Sequence, residues 1–96
     1  MIGVKMDELR ELISHSHEAE FEYNGTTYVL QPEISEGKAW LVIWDISANG
    51  KCICKHEIPE KGDIPQEIID KVLSEKCFCG QSFLDIEKDV TVTVIY

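Results

Sequence analysis

The four cysteines of this chain form two pairs with the same spacing. One residue separates Cys52 from Cys54 and Cys77 from Cys79, and 22 residues (55–76) lie between the pairs. Thiolates are common ligands of structural zinc, which is held by four ligands in a tetrahedron. Two cysteines at i and i+2 on a strand face lie about 6.8 Å apart at Cα and can reach one ion. We therefore predict one zinc ion bound by Cys52, Cys54, Cys77 and Cys79, although a zinc knuckle usually has two residues between its cysteines.

Other uses of these thiols stay open on sequence alone. They could be buried free thiols, since cysteine is among the most buried residue types. They could form disulfides between the two pairs, or one of them could be a catalytic nucleophile. His56 is predicted on the same strand face as Cys52 and Cys54 and could replace one thiolate. His15 and His17 lie in a polar link and are candidates for a separate surface metal.

No sequence motif indicates an enzyme. The chain lacks a nucleophile elbow, a phosphate-binding glycine loop and the pattern His-Glu-x-x-His. Its carboxylates fall at solvent-facing positions, where their pKa values have no reason to shift. A zinc ion held by four thiolates also has no open position for water or substrate. We therefore expect no enzymatic activity and no catalytic residue.

Length and charge limit the classes of protein that remain. The 96 residues, of which 44% are hydrophobic, predict a single domain over residues 1–96. Eighteen carboxylates against nine lysines and arginines give a net charge of −9, which repels nucleic acids and anionic membranes and attracts basic proteins. No apolar signal sequence or spanning segment is apparent. We therefore expect a soluble, cytoplasmic protein. Thiols stay reduced in the cytoplasm.

Helical spacing of apolar residues predicts two helices, over residues 6–14 and 64–75. Asp63 is a candidate N-cap for the second helix. Ser82, followed three residues later by Asp85, predicts a third, short helix of one or two turns.

A β-hairpin is predicted around the dipeptide Asn24-Gly25, because both residues of such a turn need positive φ. The flanking residues 19–23 and 26–30 alternate between apolar and polar. Counting outward from the turn places Phe21 opposite Tyr28, on the face that should be buried.

Three glutamates alternate with the apolar residues of the first predicted strand: Glu18, Glu20 and Glu22. A solvated sheet face is one interpretation. The other is an acidic stripe that docks a basic partner, which the net charge favours. We take these three glutamates as candidate partner-binding residues.

The remaining strands follow from apolar patterning. Residues 39–46 are apolar on both faces and predict a central strand, whereas 51–58 and 90–96 predict two further strands and 32–38 a loop. The fold class is therefore α+β in the order α-β-β-β-β-α-α-β. We expect an antiparallel sheet of about five strands with helices on one side, stapled by zinc.

The second Asn-Gly pair, in a turn over residues 47–50, sets a predicted register. If residues 49 and 50 form a two-residue turn, Cys54 lies opposite Asp45. Strand alternation would then place Cys52, Cys54 and His56 on one face.

Two parts of the chain resemble small acidic proteins encoded by phages and mobile elements of Gram-positive bacteria. The first comprises residues 6–14, residues 20–25 (Glu-Phe-Glu-Tyr-Asn-Gly) and Tyr28, and the second comprises residues 80–86 (Gly-Gln-Ser-Phe-Leu-Asp-Ile). Some proteins of this kind are anti-CRISPR inhibitors of type II-A systems. The resemblance implies a protein that binds the RNA-guided nuclease of the bacterial host cell and blocks guide or target DNA loading.

The basic channels that hold nucleic acid in such nucleases fit a partner with a net charge of −9. The alternative is a metal-stabilised interaction or regulatory module of a mobile element that binds a different partner.

Overall fold

The computed structural model describes residues 1–47 and 49–96, and these form an α+β fold. One five-stranded antiparallel sheet and three helices follow the predicted order α-β-β-β-β-α-α-β, so the fold class is confirmed. No helix of the described residues is both long and apolar enough to cross a membrane. The elements are α1 (Met6–Ser14), β1 (Ala19–Tyr23), β2 (Thr26–Ser35), β3 (Lys38–Asp45), β4 (Lys51–Ile58), α2 (Gln66–Ser74), α3 (Phe83–Ile86) and β5 (Thr91–Ile95), with a 3₁₀ turn at Glu87–Asp89.

The strand order in the sheet is β4-β3-β2-β1-β5. The first four strands are joined by successive hairpins, and β5 adds beside β1. In the β1–β2 hairpin Phe21 lies opposite Tyr28, as predicted. Asn24 and Gly25 both have positive φ, at 52° and 80°, which is what a two-residue hairpin turn requires.

All three helices pack against one face of the sheet and form the main hydrophobic core. Four aromatic rings, those of Phe21, Tyr28, Phe78 and Phe83, pack together in this core, and the ring centroids of five of their pairs lie 5.1–6.4 Å apart. The other buried core residues include Leu9, Ile13, Leu30, Leu41, Ile43, Ile69, Val72, Leu73, Ile86 and Val90.

The opposite face of the sheet carries no helix in the described part of the chain. Val42 is nonetheless fully buried there, between the half-buried rings of Trp40 and Trp44 on the same strand face. Lys55 Nζ lies 4.4 Å from the Trp40 ring centroid, and Trp44 Nε1 donates to Glu33 at 2.7 Å. We call this the open face.

The loop predicted over residues 32–38 is wrong. Strand β2 continues to Ser35, and a tight turn at Glu36 and Gly37 leads into β3. Proline is uncommon inside a strand, yet Pro32 pairs with Leu41 in the ladder.

The strand tolerates Pro32 because of the direction in which its backbone nitrogen points. The carbonyl of Thr27 accepts a hydrogen bond from the Ile46 N–H, so odd-numbered residues of β2 direct their backbone groups towards β3. The backbone nitrogen of Pro32 therefore points away from β3, towards the edge where β1 no longer pairs with β2 beyond Leu30. The missing N–H removes no ladder bond.

The predicted start of the second helix is also wrong, whereas the cap of the third is confirmed. Helix α2 begins at Gln66, and Asp63 does not cap it. The Asp63 Oδ1 atom instead lies 3.2 Å from His15 Nδ1. In α3 the Ser82 hydroxyl accepts from the Asp85 N–H at 3.1 Å, and the Asp85 carboxylate accepts from the Ser82 N–H at 2.9 Å.

A candidate metal centre between β4 and the end of α2

The register of β4 differs from the prediction, because Cys54 lies opposite Ile43 and not opposite Asp45. Asp45 instead pairs with Lys51, and a β-bulge interrupts the ladder between Ile43 and Trp44. The predicted turn over residues 47–50 includes Ala48, which lies outside the described residues.

The bulge separates the two cysteines of the first pair. It adds Ile53 to β4, so that Cys52 lies opposite Trp44 on the open face and Cys54 lies opposite Ile43 on the core face. Ile53 and Cys54 both contact the main core. The prediction that Cys52 shares a face with Cys54 is therefore wrong.

Cys54 and His56 remain on one face of β4, and Glu75 meets them there. A sulfur, nitrogen and oxygen from these three residues all lie within 4.8 Å of one another. His56 Nε2 lies 2.8 Å from Glu75 Oε1. Glu75 ends α2 as its C-cap with extended backbone, which turns its side chain towards the strand. We call Cys54, His56 and Glu75 the β4–α2 cluster.

Cys77 lies beside this cluster and interacts with Cys54. Its N–H donates to the Glu75 carbonyl at 2.9 Å, which keeps the residue close to the end of α2. A hydrogen bond from the Cys54 thiol lowers the pKa of Cys77, whereas that bond and burial raise the pKa of Cys54. Of the two thiols, Cys77 is therefore the one that loses its proton more readily.

The other two cysteines lie away from the cluster. The Cys52 thiol donates to the Cys54 carbonyl at 3.4 Å, and burial raises the pKa of Cys52. Cys79 is exposed, with a φ of 53° in the tight turn before Gly80. The structure thus places one cysteine of each pair at the cluster, and binding of one ion by all four thiolates stays a prediction.

His15 and His17, the candidates for a separate surface metal, have other partners. His15 contacts Asp63, and His17 Nδ1 lies 2.7 Å from the Tyr96 carbonyl oxygen. Within residues 1–47 and 49–96, the β4–α2 cluster is the one place where three potential ligand atoms converge.

The predicted acidic stripe lies on the open face. Glu20 and Glu22 alternate with the buried residue Phe21, and Glu18 is partly exposed just before β1. The Tyr96 hydroxyl donates to Glu20 Oε2 at 3.3 Å. In the described part of the chain, none of the three glutamates forms an ion pair.

The ligand types in the cluster suit a zinc ion. Thiolate, imidazole and carboxylate all bind Zn²⁺, at about 2.3 Å for sulfur and about 2.0–2.2 Å for nitrogen and oxygen. Hard ions such as Ca²⁺ and Mg²⁺ prefer oxygen ligands alone, so the sulfur and the imidazole count against them. The residues present therefore fit a borderline-soft metal held at the junction of a strand and a helix.

Sequence reasoning missed Glu75. It is one of 18 carboxylates, and its position as C-cap of α2 depends on where that helix ends. The one available signal was its place two residues before Cys77.

Comparisons of the chain with known protein families, with curated proteins and with solved structures find no match.

Proposed function

We propose that this chain is a small protein-binding module whose β4–α2 junction is stabilised by one zinc ion. Cys54, His56 and Glu75 would be three ligands, and Cys77 the fourth. The observation that supports this most strongly is the convergence of a thiol, an imidazole and a carboxylate within 4.8 Å.

The position of the site explains what a metal would contribute. β4 is an edge strand, and α2 is the helix that packs against it. A ligand pair on the strand and another at the end of the helix would tie two elements that are distant in sequence. In a domain of 96 residues such a tie adds to a modest core, since binding free energy of a structural metal is folding free energy. With four protein ligands the ion would have no open position for catalysis.

Zinc stoichiometry and thermal unfolding test this ligand set. Purified protein should contain one zinc per chain, and a chelator should lower its melting temperature. Cys54→Ser and His56→Ala should each lose the ion and several kcal/mol of unfolding free energy, because structural zinc binds with about 10 kcal/mol or more. Elemental analysis and calorimetry, each with and without chelator, give the two readouts.

Cys52→Ser and Cys79→Ser are the matched controls, because they remove thiols that lie away from the cluster. Both should retain one zinc per chain and wild-type sensitivity to chelator. Loss of zinc in either control would contradict the proposed ligand set and favour the four-thiolate site.

For the partner, we propose a basic protein surface that docks on the acidic stripe Glu18, Glu20 and Glu22. The stripe lies on the face that the helices leave uncovered, and its carboxylates have no cation to neutralise them in the described residues. A net charge of −9 would speed encounter with a basic surface. The sequence resemblance names one such partner, the RNA-guided nuclease of a type II-A CRISPR system.

A binding assay with purified type II-A nucleases tests this partner. The complex should weaken as salt rises, and the double variant Glu20→Lys/Glu22→Lys should bind at least about tenfold more weakly, since two favourable charge contacts become repulsive. The matched control is Glu67→Lys/Asp89→Lys, an equal charge change outside the sheet. Absence of a complex at low salt with every such nuclease would overturn this assignment, and an affinity pull-down would then identify the host partner.

A further inference from the structure

The second half of β2 has a free edge. β1 pairs with β2 only as far as Ala19 opposite Leu30, whereas β2 continues to Ser35. The alternation that directs odd-numbered residues towards β3 directs Pro32 and Ile34 towards the unpaired side. Within residues 1–47 and 49–96, three backbone groups on that side therefore have no strand beside them: the Pro32 carbonyl and the N–H and carbonyl of Ile34.

A groove opens beside this edge on the core side of the sheet. Its volume is about 250 Å³. Ile34 is 73% exposed at its border, and Ala39, Ile58 and Ile64 form buried apolar surface within it. The full lining comprises Ser16, Pro32, Glu33, Ile34, Ala39, Ile58, Pro59, Glu60, Gly62 and Ile64.

The edge and the groove fit one kind of occupant. An extended peptide that pairs with Pro32 and Ile34 would direct every second side chain to the core side of the sheet, and so into the groove. A helix does not present the alternating donors and acceptors that this edge leaves unpaired, because its backbone groups bond within the helix.

The charges indicate what the peptide carries beside its apolar residue. The groove lining includes the acidic residue Glu60 and no lysine or arginine. Glu33 also borders the groove, but its carboxylate accepts a hydrogen bond from Trp44 Nε1 on the open face. An apolar side chain flanked by basic residues would therefore be complementary in shape and charge.

We propose that this site binds an extended segment of a partner protein as an added strand, with an apolar side chain in the groove and lysine or arginine beside it. We call it the β2-edge site. It uses none of the proposed metal ligands and none of the stripe glutamates. Its test is therefore independent of the proposed zinc site and of the proposed basic partner.

Selection from a library of displayed linear heptapeptides tests the β2-edge site. Immobilised wild-type protein should enrich sequences with one large apolar residue between basic residues. A parallel selection on Ile34→Arg should not enrich them, and this exposed position can change without disturbing the core. The same peptides enriched on both proteins, or none enriched on the wild type, would overturn the proposal.

A pair of variants at Ile34 separates strand addition from simple contact with the groove. Ile34→Ala keeps the free N–H and shortens the side chain, whereas Ile34→Pro also removes that N–H without touching the β3 ladder. A synthetic selected peptide should bind the proline variant about tenfold more weakly than the alanine variant, as expected for one lost hydrogen bond. Equal affinities would exclude strand addition. The control Leu84→Arg, which changes an exposed residue of α3, should bind like the wild type.

Sedimentation of the wild type and of Ile34→Arg tests the other occupant, a second copy of this chain. Both should be monomers at the concentrations of the peptide assay. A wild-type dimer that Ile34→Arg dissociates would assign the edge to self-association and would contradict binding of a partner segment.

Discussion

At the scale of single residues, the cysteines of this chain differ in environment although their spacing is repeated. The bulge at Ile53 leaves Cys54 on the core face and Cys52 on the open face. At the second pair, Cys77 stays beside Cys54 while Cys79 turns into solvent. Because thiolate is both the nucleophile and the metal ligand, Cys77 with its lowered pKa should react before Cys52 and Cys54, whose pKa values are raised.

Alkylation of the metal-free protein tests this ranking. In chelator-treated protein at neutral pH, iodoacetamide should modify Cys77 before Cys52 and Cys54. The pKa of Cys77 is lowered by the hydrogen bond from Cys54, whereas burial helps to raise the pKa values of the other two. The Cys77 rate should also reach its plateau at a lower pH than that of an ordinary thiol. Mass spectrometry of peptides over a time course gives the order.

Zinc supplies the control for the alkylation experiment. Added zinc should protect Cys77 and leave the exposed Cys79 reactive. Modification of Cys52 before Cys77 in the metal-free protein would contradict the ranking of environments.

The proposed metal ligands were only partly predictable from sequence. Cys54 and Cys77 were among the predicted ligands, and His56 was a candidate replacement. Glu75 was missed, because its role depends on the end of a helix. Cys52 and Cys54 lie on opposite faces of the sheet because of a β-bulge, and no residue pattern in β4 predicts the one extra residue that forms it.

At the scale of elements, the clearest agreement between local sequence and structure is the capping box of α3. Ser82 is 5% exposed, and its hydroxyl and N–H both exchange hydrogen bonds with Asp85. Helix α3 spans only Phe83–Ile86, so its first turn is most of the helix. Phe83 and Ile86 of this helix are buried in the core. The cap therefore helps to hold these two side chains in place, because it stabilises the turn that carries them.

Replacement of the cap should therefore destabilise the protein measurably. Ser82→Ala should lower the free energy of unfolding by about 1 kcal/mol, the usual loss when an N-cap is removed. The backbone and side-chain hydrogen bonds from Ser82 lower the pKa of Asp85. The stabilisation from Asp85 is therefore present above the ordinary carboxyl pKa and is lost as the pH falls through the lowered value.

Chemical denaturation at several pH values measures both effects. Asp85→Asn should remove this part of the acid dependence, whereas Asp89→Asn, a matched loss of one carboxylate in the following 3₁₀ turn, should retain it. An unchanged stability of Ser82→Ala at neutral pH would contradict the role of the cap.

Most helices and strands were predicted correctly from local sequence patterns. The wrong predictions concern features that depend on contacts between distant parts of the chain. Alternation around Asn24-Gly25 predicted the first hairpin with its register. The extension of β2 through Pro32 could not be predicted, because it depends on where β1 ends. The start of α2 was misplaced because Asp63 has the residue type of an N-cap but contacts His15.

At the scale of the whole molecule, the helices divide the surface into regions with different chemistry. They cover one face of the sheet and leave the open face with Trp40, Trp44 and the acidic stripe. The β4–α2 cluster lies at one edge strand of the sheet, and the β2-edge site lies where β1 stops pairing. The proposed metal site, the proposed partner surface and the β2-edge site therefore occupy separate regions of a chain of 96 residues.

The most direct test of the proposed zinc site is the ligand shell of zinc in the purified protein, measured by X-ray absorption at the zinc edge. The proposed ligands should give a mixed shell with two sulfur neighbours at about 2.3 Å and nitrogen and oxygen neighbours at about 2.0–2.2 Å. These would be Cys54, Cys77, His56 and Glu75. A shell of four sulfur atoms, or protein that binds no zinc, would contradict it.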